Sequence, residues 1–264
     1  MNLIKKSLFH RIKKKPFFSV ITVVKNDEKN ISKTIKSIVN QNYKNYEYLI
    51  IDGKSSDGTL KEILRFKKKI NYCLSAKDKG IYFAMNEGAR LSKGEVIIYV
   101  NSGDKLYSSA LRNIKKKFDQ NKSFDFVFGT VKRNYMKDTI IKHGVNISRL
   151  KYNFDFATSH STGFYLKRKT FIKYGLFNTN FKYSADYDLY YRLIINKKIK
   201  GGATSKRKII GEMSSGGFSS KISFFKHLVE ETKIRIHNRQ NLIIILVIFL
   251  NAILKKTIKK IKIF

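Results

Sequence analysis

Residues 94–104, GEVIIYVNSGD, narrow the choice of fold more than any other stretch of the chain. Five consecutive apolar or aromatic residues, 96–100, run straight into Asn101-Ser102-Gly103-Asp104. A half-exposed strand alternates apolar and polar side chains. An unbroken run closed by turn residues suits a strand covered on both faces, as in a parallel sheet. Its C-terminal end presents an amide, a hydroxyl and a carboxylate at the edge where open α/β sheets bind their ligands. From these residues alone Asp104 has two readings: part of a metal or phosphate site, or a solvated carboxylate in a polar turn.

The first half of the chain repeats this pattern. Residues 17–24 (FFSVITVV) and 46–51 (YEYLII) form further apolar runs, and 70–74 a shorter one. Helical stretches separate them. After Asn26-Asp27, Ile31, Ile35, Ile38 and Val39 fall on one helical face, with Asp27 or Asn30 placed as the cap. A second helix spans 59–68 and a third runs through Met85 and Ala89. Strand–helix alternation with short connections continues to about residue 118. It predicts an α/β fold with a Rossmann-like, mostly parallel central sheet flanked by helices. Beyond it the spacing predicts strands at 124–130 and 163–166, a polar hairpin or excursion over 131–145 and a helix from Lys169. A further helix is expected over 186–195, with Leu189, Leu193 and Ile194 on one side, and SSGGFSS at 214–220 reads as a flexible break.

Charge sets the ends of the chain apart. With 55 Lys and Arg against 19 Asp and Glu the net charge is +36, which draws a chain toward polyanions: nucleic acid, an anionic membrane surface or a phosphorylated substrate. Lysine is spread along the whole sequence, so a compositional bias explains part of this excess. It explains the ends less well. Residues 1–15 place Leu3, Ile4, Leu8 and Ile12 at helical spacing among basic residues, as a basic amphipathic leader without a secretory signal. Residues 242–254 (LIIILVIFLNAIL) are almost wholly apolar and precede KKTIKKIKIF. Thirteen residues fall short of the roughly 20 a membrane-spanning helix needs. The tail therefore reads as a basic, apolar helix that either packs on the core or lies on an anionic bilayer. The expected organisation is a leader (1–15), a catalytic or binding domain (16–215) and a C-terminal helical segment (216–264). One cysteine, Cys73, excludes an intrachain disulfide and fits a reducing compartment.

Asp52, Asp78 and Asp104 stand at expected strand ends or loops. Each alone is an ordinary turn residue. Together they would converge on one edge of a parallel sheet, where a divalent cation bridging phosphate oxygens would account for clustered carboxylates. No GxGxxG follows the first strand and no GxxxxGK[ST] occurs, so neither a dinucleotide site nor a P-loop is supported.

SVITVVKND, SIVNQNYKNYEYLIIDGKSSDGT, DKGIYFAMNEGARLSKGEVIIYVNSGD and SADYDLYYRL together resemble the family 2 glycosyltransferases of the GT-A fold, over roughly residues 17–215. The resemblance implies a nucleotide-sugar donor contacted by Thr22, Val24, Asn26 and Asp27 at the first strand. Asp52 would meet the base, Asp78 and Lys79 the ribose or pyrophosphate, and Asn101 and Ser102 the diphosphate edge. The family's DxD metal motif corresponds to 101–104. Asn101 and Gly103 depart from it, which leaves Asp104 as the anionic ligand for Mn2+ or Mg2+. Asp186 matches the general base of the family's ED motif, with Ala185 in place of the glutamate and Asp188 as an alternative base. His160 matches a position on the acceptor side. The resemblance further implies inversion at the anomeric carbon and a saccharide or lipid-linked acceptor in cell-surface polysaccharide or lipopolysaccharide synthesis. The basic ends imply a cytoplasmic protein peripheral to the inner face of the membrane. The processive QxxRW signature is absent, which implies addition of a single sugar. No nucleic-acid motif is present and no nucleic acid is expected. A polyanion-binding protein and a catalytically degenerate relative remain as alternatives.

Overall fold

The computed structural model describes residues 7–10, 15–135, 138–154, 161–215 and 222–261. The apolar runs become β2 (Phe18–Val24), β3 (Tyr46–Asp52), β4 (Tyr72–Ser75) and β5 (Val96–Tyr99). They pair in parallel in the order β4-β3-β2-β5, with Phe18 opposite both Tyr46 and Val96. The intervening helices are α1 (Glu28–Val39), α2 (Thr59–Leu64) and α3 (Ile81–Leu91). Along β2, Ile21 and Val23 face one core, shared with Tyr82 and Met85 of α3, whereas Val20 and Val24 face another, shared with Ile31, Ile35 and Ile38 of α1. Both faces are thus covered, which is why the strands read as unbroken apolar runs. Each of these α1 isoleucines is fully buried, and truncation of one to alanine costs about 2–5 kcal/mol.

β1 (Ser7–His10) pairs antiparallel with β4. At these four residues the leader is a strand and not the helical turn that its apolar spacing suggests. The backbone of β4 would otherwise be an unpaired sheet edge, and strand addition satisfies it. On the other side of β5 the sheet continues through β10 (Phe164–Lys167), antiparallel to β5 and to β7 (Phe126–Phe128), and ends at β11 (Gly201–Ala203). A second sheet joins β6 (Lys105–Leu106), β12 (Ile209–Met213), β8 (Thr130–Asn134) and β9 (Thr139–Lys142) in that order. Helices α4 (Ala110–Gln120), α5 (Ile147–Tyr152) and α6 (Arg168–Lys173) complete the middle of the chain.

The helix expected over 186–195 splits into α7 (Ala185–Tyr190) and a π-helical turn (Tyr191–Asn196). Two helices follow: α8 (Phe224–His237) and α9 (Leu242–Ile261). α8 is bound to the body rather than appended to it. Arg235 is buried, and its guanidinium donates to the carbonyls of Lys151 and Asn153, to Gln240 Oε1 and to Glu231 Oε1 at 2.6–2.9 Å. It also lies 5.2 Å from the ring of Tyr187. α9 buries Ile245, Ile248 and Ala252 while Leu242, Ile243, Leu246, Val247, Leu250 and Leu254 are each more than half exposed. The tail is therefore half core and half surface. Among the described residues no helix is long and apolar enough to cross a membrane.

Candidate active site

The chain runs outward from β2 through β3 to β4, and α3 then returns it to pair β5 on the other edge of β2. A crevice lies beyond the C-terminal ends of β2 and β5, at the point where strand order reverses. Two loops, 25–27 and 101–104, form its rim. Ser102 Oγ donates to Asp27 Oδ2 at 2.6 Å and Asn30 Nδ2 donates to Asp27 Oδ1 at 2.7 Å, which locks one loop against the other. Asn26 adopts φ +51°, and its Oδ1 accepts the Ser56 N–H at 2.9 Å. The crevice opens into a cavity of about 780 Å³ lined by Val24, Asn26, Asn101, Ser102, Asp104 and Asp186, among others.

Asp104 is 6% exposed. Its Oδ2 accepts the Thr162 hydroxyl at 2.6 Å and its Oδ1 accepts the Ser214 N–H at 3.0 Å. Burial pushes its pKa up from 3.8 to about 6, against the opposing pull of these hydrogen bonds and of the Arg133 charge. The backbone behind it is held by Thr34, whose Oγ1 donates to the Asp104 carbonyl and accepts the Gly103 N–H. Gly103 sits at φ +95°, and a Cβ there would lie 2.6 Å from Ser214 Oγ. The departure from aspartate at 103 thus has a physical reason: the turn needs a left-handed residue, and Ser214 occupies the space of a side chain. Asn101 Oδ1 is buried with no hydrogen-bond partner among the described residues. An orphaned oxygen in a cavity also lined by a carboxylate suits a hard cation, which takes one or two carboxylates, other oxygens and the ligand's phosphates. The donor set therefore fits a divalent ion held by Asp104 and Asn101.

Asp186 lines the same cavity from the first turn of α7. Its Oδ1 accepts the Tyr82 hydroxyl at 3.2 Å and the Tyr187 N–H at 2.9 Å. Burial and the Asp186 charge raise the Tyr82 pKa well above 10, so the phenol stays a donor. The turn before α7 is clamped from α8. Glu230 accepts the backbone N–H groups of Lys182, Tyr183 and Ser184, each at 2.7 Å. Asp188 sits on the far side of the helix, fully buried, paired with Arg192 at 3.2 Å and accepting Asn238 Nδ2 at 2.8 Å. It braces α7 and does not line the cavity.

Other expected site residues lie away from this space. Thr22 is a core residue whose hydroxyl donates to the Val100 carbonyl at 2.7 Å, stitching β2 to β5. Asp52 is fully buried, and its carboxylate accepts Ser55 N–H, Ser55 Oγ and Ser75 Oγ, so it organises the loop after β3. Asp78 caps the Gly80 N–H at 3.0 Å and lies against Gly53, where a Cβ would be 2.7 Å from its Oδ2. Lys79 is exposed just before α3. His160 falls outside the described residues. The cavity also recruits residues that carried no sequence signal: Arg133 and Tyr135 from the end of β8, and Ser214 from the stretch read as a flexible break.

Residues 19–185 match the family model described as Glycosyl transferase family 2. The chain belongs to this family. Of the two main readings of its charge and motifs, the enzyme therefore stands: it is a glycosyltransferase. The PGL/p-HBAD biosynthesis glycosyltransferase of Mycobacterium bovis is 27% identical over 185 residues, covering 69% of this chain and 71% of the relative. A dolichyl N-acetyl-glucosaminyl phosphate diacetamido-dideoxy-glucuronosyltransferase of Methanococcus voltae is 40% identical over 89 residues, 31% of this glycosyltransferase and 27% of that protein. Among solved structures, S. aureus TarS in complex with UDP superposes with a TM-score of 0.65 at 17% identity, over 83% of this chain and 64% of that one. The glycosyltransferase thus spans just under two thirds of that TarS chain. A Pyrobaculum calidifontis mannosyltransferase in complex with GDP-Man and Mn2+ gives 0.61 at 15% identity, over 85% of this chain and 63% of that one. At such identities the likeness shows the shared GT-A fold.

Proposed function

We propose that this glycosyltransferase moves one sugar from a nucleoside-diphosphate sugar to a saccharide or lipid-linked acceptor, with inversion, in the synthesis of a cell-surface glycan. The observation that carries the reading is that Asp186 and Asn101–Asp104 line one and the same cavity at the switch point. Support for the donor class comes from the UDP and GDP-Man ligands of the TarS and mannosyltransferase structures.

In this reading the acceptor hydroxyl oxygen attacks the anomeric carbon, and Asp186 takes its proton. Tyr82 and the Tyr187 N–H fix one oxygen of that carboxylate, which orients it toward the cavity. The electron pair of the breaking C1–O bond leaves with the diphosphate. A single displacement inverts the carbon and needs no covalent nucleophile. Mn2+ or Mg2+, held by Asp104 and Asn101, would offset charge on the diphosphate. Asp104 itself fixes the rim through Thr162 and Ser214.

The membrane part of the reading draws on α9. Its exposed leucine, isoleucine and valine side chains run along one face and lead to Lys255 and Lys256, a pattern suited to lying in the headgroup layer of an anionic bilayer. On this reading the enzyme works at the inner surface of the cytoplasmic membrane, next to a lipid-linked acceptor.

A screen for release of UDP, GDP or dTDP from nucleotide-sugars, with and without Mn2+ or Mg2+, tests the function. Asp186→Asn is expected to bind the same nucleotide while its turnover falls about 10²–10⁴-fold. No released nucleotide from any donor, or full turnover by the variant, would overturn the reading.

A further inference from the structure

A diphosphate entering this cavity meets negative charge. Asp27, Asp104 and Asp186 all line it, and Asp104 is buried. Among the described residues no group of three His, Cys, Asp or Glu side chains could hold a cation by itself. The donor adds its own phosphates, and the leaving group gains charge as the C1–O bond breaks. Fixed positive charge beside Asp104 would offset both. Arg133, near the end of β8, lines the cavity with Asn101, Ser102 and Asp104. β8 pairs with β12 so that Arg133 stands opposite Met213, the residue before Ser214, and the Ser214 N–H holds Asp104. The guanidinium lies 5.1 Å from the Tyr135 ring, a contact that steadies its plane.

We propose that Arg133 is the diphosphate anchor of this site, donating through its guanidinium to the donor's phosphate oxygens and holding part of the charge the leaving group gains. The assignment rests on the nucleotide-sugar reading. A planar fork of donors matches phosphate geometry in a way that a single ammonium does not. Among the described residues that line the cavity, the other cation is Lys25, an exposed point charge. In the transfer, the acceptor O–C1 bond forms and the C1–O(phosphate) bond breaks. The acceptor proton passes to Asp186, and the bonding pair stays on the phosphate oxygen. Arg133 donates hydrogen bonds throughout and transfers no proton.

The test is calorimetric titration of the full chain with UDP, GDP, inorganic pyrophosphate and uridine, in EDTA and in Mn2+. Arg133→Gln is expected to weaken the nucleoside diphosphate the wild type binds, and pyrophosphate, by about 10- to 100-fold, while uridine binding is unchanged. Arg133→Lys, which keeps the charge and loses the fork, is expected to fall between the two and provides the reading should the glutamine variant not fold. Wild-type affinity for diphosphate in both variants overturns the anchor and leaves the transferase reading in place. A wild type that binds none of UDP, GDP and dTDP, the last titrated in the same way, with or without Mn2+, overturns the nucleotide-sugar reading and the anchor with it.

Discussion

Replacing Asp104 by asparagine should make the metal-free protein more stable at neutral pH. The carboxyl is almost fully buried, and its pKa rises from 3.8 to about 6 on folding. Two units correspond to about 3 kcal/mol of cost for ionising this group in the folded state. Because the folded pKa lies above the unfolded one, the folded chain holds more protons between pH 3.8 and 6, and stability is lost as pH rises through that window. Asparagine has nearly the same shape. Its Oδ1 can accept the fixed Ser214 N–H, and its Nδ2 can donate to Thr162 Oγ1, since a hydroxyl rotates to accept. Urea unfolding in EDTA across pH 4 to 8 should show Asp104→Asn ahead by about 2–3 kcal/mol at pH 7.5, with the gap closing toward pH 4. Mn2+ with UDP should narrow the gap at pH 7.5 by stabilising only the wild type. A variant less stable at pH 7.5, or a gap that does not change with pH, would refute the reasoning.

Other perturbations probe neighbouring parts. Glu230→Gln removes the charge that holds three backbone N–H groups before α7, and should lower kcat about 10-fold or more with donor KM nearly unchanged, since Asp186 alone is displaced; an unaltered kcat in steady-state assays would dismiss it. Gly103→Ala forces a side chain into a φ of +95° and against Ser214, with an expected loss of about 1–3 kcal/mol by thermal or urea unfolding. A paired Leu246→Asp and Leu250→Asp variant should stop floating with phosphatidylglycerol-containing vesicles, while its circular dichroism and nucleotide binding match the wild type; continued flotation would exclude the α9 face.

The parallel half of the fold was legible because its strands are covered on both sides. An apolar run such as Val20–Val24 of β2 needs two cores, and two cores with short connections allow few topologies. The 101–104 rim and Asp186 were legible from motif resemblance. What sequence could not show were partners far away along the chain. Thr162 and Ser214 meet Asp104 across 58 and 110 residues, and a serine in SSGGFSS carries no local sign of that duty. Arg133 sits in a polar hairpin where basic residues are common. Thr22 and Asp52 sit where donor contacts were expected, yet the structure uses their polar atoms to hold strands and loops together. β1 forms only because β4 offers an edge, which composition does not reveal.

The buried guanidinium of Arg235 also bears on the order of assembly. An arginine cannot enter the interior until most of its acceptors are in place, and these lie on α5, in the loop after it, on α8 and at Gln240. Tyr187, on the helix that carries Asp186, packs against the same group and donates to the Leu150 carbonyl. During synthesis the parallel strands up to residue 100 have their partners early, whereas α7 waits for residues 230–240 to emerge. Nascent chains halted near residue 215 should therefore protect the amides of β2 and β3 from hydrogen exchange while those of α7 exchange freely; protected α7 amides in such chains would show that the helix settles without its buried arginine. The chemistry of transfer would then be among the last properties this chain acquires.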